Sequence, residues 1–178
     1  IQAQSFQFNG NLSGTYISNG FVGTPTDAPF TLDRGYVLKC NGTTSKVQFS
    51  DESFNGLGNK TIVGWFNAKS WGEGDNGRIF SNGKMSLFIS SSRILALQRD
   101  GASSAFSNVD AIGFNKCYFY CVTSPSDGNN ITFYIGDIDN SPSDQTLDSS
   151  SSTPESGDIV VVGNNSSSAQ TFHGTIGT

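Results

Sequence analysis

No lysine or arginine precedes Arg34 and none follows Lys116, in a chain of 178 residues with 10 basic side chains in all. The last third instead carries Asp127, Asp137, Asp139, Asp144, Asp148, Glu155 and Asp158. Binding along a phosphate backbone needs clustered cations, so this distribution argues against a nucleic-acid partner. An acidic segment in a chain of formal net charge −5 keeps the protein soluble or lines a rim that attracts a cation, and the first is the plainer reading. Long hydrophobic runs are missing too. No stretch approaches the ~20 apolar residues of a membrane-crossing helix, so no membrane insertion is expected. The start does not read as a secretion signal, because Gln2, Gln4, Gln7 and Asn9 interrupt any apolar segment. Opening on Ile1 and closing on Gly177-Thr178, the chain reads as an excerpt of something longer.

Helical periodicity is a further absence. No window repeats apolar residues at i, i+3, i+4 and i+7 with helix formers between them. Short β-branched and aromatic runs occur instead: Ser5–Phe8, Tyr36–Cys40, Lys46–Phe49, Thr61–Asn67, Arg78–Ser81, Met85–Ser90, Ile94–Arg99, Cys117–Thr123, Ile131–Ile135, Ile159–Val162 and Gln170–Ile176. Turn pairs separate them, among them Asn41-Gly42, Asn55-Gly56, Asn82-Gly83, Asp100-Gly101 and Asp127-Gly128. This spacing predicts an all-β, two-sheet antiparallel jelly-roll sandwich, with residues 1–178 as a single domain. The 14 Phe, 5 Tyr and 2 Trp supply the core between the sheets. Two stretches break the rhythm. Gly20–Asp33, with Pro25 and Pro29, is expected to wrap an edge. Residues 140–158, including Ser149 to Ser152, read as a long polar loop.

There are three cysteines. Cys117 and Cys121 share a strand face about 13 Å apart at the rise of an extended chain. A disulfide tolerates no more than ~7 Å between Cα atoms, so these two do not pair. Cys40 can bridge to one of them and leave an odd thiol. The plainer reading is three buried free thiols, which suit folding in a reducing cytoplasm.

The order of elements resembles a known family. Phe8 to Gly14, Arg34 to Gly42, Ser45 to Phe49, Lys60 to Asn67, Arg78 to Gly83, Ile131 to Asp137, Val161 to Asn164 and Phe172 to Gly177 follow one another as do the strand motifs of laminin G-like domains, in the concanavalin A-like lectin/glucanase superfamily. Cys40 stands where the family usually has an aromatic residue. The resemblance implies a jelly roll of two antiparallel sheets; it does not imply a ligand.

Catalysis is tested first, because the superfamily includes glycosidases. Those need two carboxylates across the scissile bond. Glu52, Glu73 and Glu155 are isolated in sequence. The nearest imitation of a paired-acid strand, Asp137-Ile138-Asp139, follows Tyr134 to Gly136 at a hairpin turn, where acids are ordinary turn formers. His173 has no evident partner acid or nucleophile. No enzyme activity is therefore expected. Metal binding stays open, because many laminin G-like domains, which this chain resembles, hold one Ca²⁺ at the sandwich rim. Asp75-Asn76, Asp127 to Asn130 and Asp137/Asp139 offer oxygen ligands, but without regular spacing, so no metal residues are assigned and no cofactor is required. Cys and His spacings give no zinc site.

The ligand-binding candidates are Trp71, Glu73, Asp75, Asn76 and Arg78, in the glycine-rich loop from Ser70. An aromatic face with planar polar groups suits a sugar ring. The plainer alternative packs Trp71 over the sandwich end while the glycines make a turn. Asn11, Asn41, Asn59, Asn130, Asn164 and Asn165 begin N-x-S/T triplets, which matter only in a protein secreted by a eukaryote. These features point to a binding or structural module at an extracellular surface. The leading reading is a phage or viral virion protein that meets other virion or surface proteins and contacts glycans. The alternative is a secreted or cell-surface adhesion domain that binds carbohydrate or protein with Ca²⁺ at its rim.

Overall fold

The computed structural model describes residues 37–49, 59–99, 104–126, 129–148, 160–165 and 167–177. The expected strand Ser5–Phe8, the Gly20–Asp33 wrap, residues 149–158 of the polar loop and the turn pairs at 55–56, 100–101 and 127–128 lie outside the described residues.

Thirteen strands form among the described residues: β1 (Val37–Asn41), β2 (Val47–Phe49), β3 (Lys60–Ala68), β4 (Arg78–Ser81), β5 (Met85–Ser90), β6 (Ile94–Arg99), β7 (Ala105–Ser107), β8 (Cys117–Ser124), β9 (Thr132–Asp137), β10 (Ser143–Asp144), β11 (Thr146–Asp148), β12 (Val160–Val162) and β13 (His173–Gly177). The one helical piece described is a single 3₁₀ turn, Glu73–Asp75. Sheet A has the order β1-β13-β3-β8-β9-β10 and sheet B the order β11-β7-β6-β5-β4-β12-β2. Neighbouring strands pair antiparallel throughout. Such interleaving of early and late strands is the jelly-roll arrangement that the motif order implied.

Alternation drives the fold. In β8 the even positions Tyr118, Tyr120, Val122 and Ser124 are buried while the odd ones reach the surface. In β6 the buried Leu95 and Leu97 face inward, followed by Arg99. One core lies between the sheets, with Phe66, Phe133, Phe172, Leu87, Ile89 and Val122 among its fully buried members. Phe66 stacks on Tyr118 at 5.6 Å and meets Phe172 edge-on at 6.1 Å, which joins β3, β8 and the approach to β13. Close strand contact has a glycine requirement: a Cβ on Gly174, at φ 145°, would collide with the Asn67 carbonyl oxygen.

The polar loop expected over residues 140–158 is not wholly a loop, for β10 and β11 lie inside it. Ser143 and Asp144 add to the free edge of β9, and two residues later Thr146 joins β7 of the other sheet. Gln145 makes the crossing, its N–H donating to the Phe133 carbonyl at 2.7 Å while its own carbonyl accepts from the Asn108 N–H at 2.6 Å. Backbone hydrogen bonds to two sheet edges build these strands, so the polar side chains give no alternation from which to read them.

The three thiols are free, but they are not all buried. Cys40 faces the core, whereas Cys117 is exposed and Cys121 half-buried on the outer side of β8. The inward parity of β8 is taken by its tyrosines, so its cysteines face the other way and neither meets Cys40.

Candidate functional site

The candidate loop is tightly built and its five residues do different jobs. Trp71 is half-buried against the core and its ring lies 4.3 Å from that of Phe114, so it packs over the end of the sandwich. The Gly77 N–H closes the loop onto the Trp71 carbonyl at 2.7 Å. Glu73 accepts hydrogen bonds from the backbone N–H and the hydroxyl of Thr171, at 3.2 and 3.1 Å. Thr171 is fully buried, and its hydroxyl also accepts from the Asn164 amide at 2.7 Å. Asp75 is exposed, and Asn76 donates to the Gly74 carbonyl at 2.8 Å. Trp71, Glu73 and Asn76 thus hold the loop and its neighbour 164–171 together.

Arg78 differs from the rest. It opens β4 on the outer face of sheet B and is only 7% exposed. Its guanidinium lies 4.0 Å over the Phe88 ring. Nε donates to Gln170 Oε1 at 2.9 Å and Nη2 to Gln98 Oε1 at 3.4 Å, while Nη1 has no partner among the described residues. Burial lowers its pKa to about 10, so it stays protonated at neutral pH. Strand register places the surroundings. Arg78, Phe88, Ala96 and Phe106 form one row across four strands, and Gln98, Ser86 and Ser81 form the next. Phe88, Gln98, Phe106 and Gln170 were not legible as site residues, because only the pairing of distant strands brings them to Arg78.

The outer face of sheet A is a second feature. Val63, Trp65 and Tyr134 are 52%, 46% and 38% exposed. Val63 pairs with Cys121 and Cys121 with Tyr134, while Trp65 pairs with Phe119 and meets its ring edge-on at 5.2 Å. These residues make one contiguous apolar surface across three strands.

Other expected sites resolve into local structure. Asp137 Oδ1 accepts from the Asp139 N–H, the Asn140 N–H and the Asn140 side chain, and Oδ2 pairs with Lys116 at 2.8 Å. The Lys116 bond foremost holds this carboxyl at about 2. Asp137 therefore ties a turn, and among the described residues no three His, Cys, Asp or Glu side chains converge on a metal position. His173 has a partner that the sequence did not reveal: its Nδ1 lies 2.8 Å from Ser70 Oγ, and that oxygen accepts from the Gly72 N–H. That hydroxyl serves the turn. Among the described residues no helix is long and apolar enough to cross a membrane.

No family model and no curated protein matches the sequence. Solved structures do. Domains LG4-5 of the mouse laminin alpha1 chain align with a TM-score of 0.50 and 18% identity over 80% of this chain, which spans only 40% of that one. A native heptameric SAP-like pentraxin from Limulus polyphemus aligns with a TM-score of 0.54 and 16% identity, over 81% of this chain and 74% of that one. Identities this low speak to architecture alone. Together with the two interleaved antiparallel sheets, they establish that this chain has the laminin G-like, concanavalin A-like sandwich fold.

Proposed function

We propose that the chain is a non-catalytic binding module of an extracellular particle, foremost a virion, where it decorates a capsid or tail and meets other surface proteins and glycans. The outer face of sheet A carries this reading. The exposed face of an antiparallel sheet is ordinarily polar, and contiguous exposed apolar surface marks a contact site. Here Val63, Trp65 and Tyr134 stand in water beside Phe119. The thiols favour the particle: an exposed free Cys117 suits a chain folded in a reducing cytoplasm. A charged fraction of 14% leaves a surface of Ser, Asn, Thr and Gly. Of the candidate loop, Arg78 is the residue proposed to meet a ligand, with Trp71, Glu73, Asp75 and Asn76 shaping its approach.

A glycan array, paired with pull-down of the particle proteins encoded beside this gene, tests the reading. Wild-type chain is expected to bind, and Trp65→Ser with Tyr134→Ser to weaken binding about tenfold or more at unchanged circular dichroism, the loss expected for aromatic anchors. Equal binding by the double variant would remove sheet A from the proposal. Binding abolished by EDTA would favour the secreted adhesion domain with Ca²⁺ at its rim, as would a signal peptide encoded upstream. Neighbouring capsid or tail genes favour the virion.

A further inference from the structure

We infer that the outer face of sheet A is the contact between two copies of this chain, packed face to face about a twofold axis that runs along the strands between β3 and β8. The inference rests on the reading of that face as a contact site and names its occupant.

Eight large hydrophobic residues are exposed among the described residues, and four of them, Val37, Val63, Trp65 and Tyr134, stand on this one face. Register places Val37 there, since it pairs with Gly177 and Gly177 with Trp65. The face is about 24 Å wide across its six strands and about 26 Å long along β8, of the order of the roughly 800 Å² per partner that a stable interface covers. Area alone does not choose a partner.

The choice of a second copy comes from where the apolar centre and the charges lie. β3 and β8 are the third and fourth of the six strands, so the Trp65–Phe119 ring pair sits on the midline of the sheet. A twofold axis along that midline sets β3 over the mate's β8 and each aromatic pair on the other, a self-complementary contact. Sheets packed face to face lie about 10 Å apart, close enough for the rings to interdigitate. Among the described residues, the outward positions of the six strands carry two charged side chains, both exposed: Lys39 on the β1 edge and Asp144 on the β10 edge. The same axis lays the β1 edge of one copy over the β10 edge of the other, so the basic edge meets the acidic edge twice. An axis across the strands would set each edge over its own mate, like charge over like. Complementary edges thus fix the register of the pair and reject the other one.

The test is sedimentation of the full chain over a wide range of concentration. Wild type is expected to pass from monomer to dimer. Trp65→Ser with Tyr134→Ser should weaken dimerisation about tenfold or more, as for loss of aromatic anchors. Lys39→Glu should weaken it severalfold, and Lys39→Glu with Asp144→Lys should restore it. Cys117 is exposed on β8 beside the axis, so a short bismaleimide should join two copies through it. Wild-type sedimentation and this cross-link carry the test even where a variant fails to fold. A chain that stays monomeric while a particle protein binds through Trp65 and Tyr134 would overturn the inference and leave the contact-site reading standing. A monomer that captures nothing would remove both. A monomer whose Cys121 resists a thiol reagent would overturn the inference in favour of a cover from the same chain. Dimers that survive the Trp65 and Tyr134 changes, or that gain nothing from the paired charge reversal, would overturn it as well.

Discussion

The two outward faces of this sandwich treat their apolar residues in opposite ways. On sheet A, Val63, Trp65 and Tyr134 are between 38% and 52% exposed, whereas on sheet B, Phe88, Ala96 and Val161 are at most 7% exposed. Both faces lie outside the core between the sheets, to which none of these six residues belongs. Sheet A's face is therefore available to a partner at little cost to the fold. On sheet B, the outer residues are part of what holds the fold together, and they offer a partner almost no surface.

Matched truncations on the two faces give the largest expected difference. Phe88→Ala removes a nearly buried ring and the support under Arg78, and should lower unfolding free energy by about 3 kcal/mol, within the usual range for Phe→Ala. Trp65→Ser removes a half-exposed ring and should lower it by no more than ~1 kcal/mol. Urea denaturation of the variants measures both. Equal losses would erase the distinction between the faces.

A second, smaller effect lies between the sheets and depends on pH. Cys40 is 2% exposed, and burial pushes its thiol from 9.0 up to about 12. Below pH 9 both folded and unfolded chains hold this proton. Between about pH 9 and 12 the unfolded chain has lost it and the folded chain has not, so stability falls as pH rises through that window. Burial lowers the Arg78 pKa on sheet B, opposite in sign to Cys40, but a guanidinium stays protonated across this window and adds no slope of its own. Cys40→Ala should therefore lose less stability than wild type between about pH 8.5 and 10.5, by roughly 1 to 2 kcal/mol. Parallel pH profiles for the two proteins would show that the thiol does not titrate as its burial demands.

How far the sequence reveals this arrangement depends on whether two strand faces differ in polarity. β5 and β6 are legible to the residue, Met85–Ser90 and Ile94–Arg99, because β-branched and aliphatic runs end at turn residues. β10 and β11 are not, since Ser143, Asp144 and Thr146 are recruited by backbone bonds to existing edges. The inward face of a strand is a separate question. In β3, Trp65 and Phe66 are both large and apolar, and in β8 Cys, Tyr and Phe occupy both parities. A period of two cannot then say which set is buried, and a one-residue slip would exchange them. The exposed face of sheet A and the outward cysteines were hidden for this one reason. Arg78 was found from its company in the loop, but Phe88, Gln98 and Gln170 reach it only through pairing and return of the chain.

The smallest effect sharpens the comparison most directly, because it reports on sheet A without a mutation. Cys117 and Cys121 lie on the outer face of β8, with Cys121 flanked across the strands by Val63 and Tyr134. A thiol reagent added to the folded chain should modify Cys117 fastest. Cys121 should follow more slowly, since it is half-buried and partial desolvation raises its pKa, leaving less thiolate. Cys40 should react only on unfolding. A partner seated on Val63, Trp65 and Tyr134 would shield Cys121, while a ligand confined to sheet B would leave its rate unchanged. A particle protein captured through sheet A should therefore slow Cys121 labelling severalfold. If the captured protein leaves the Cys121 rate unchanged, it does not seat on sheet A, and the division of roles between the faces fails.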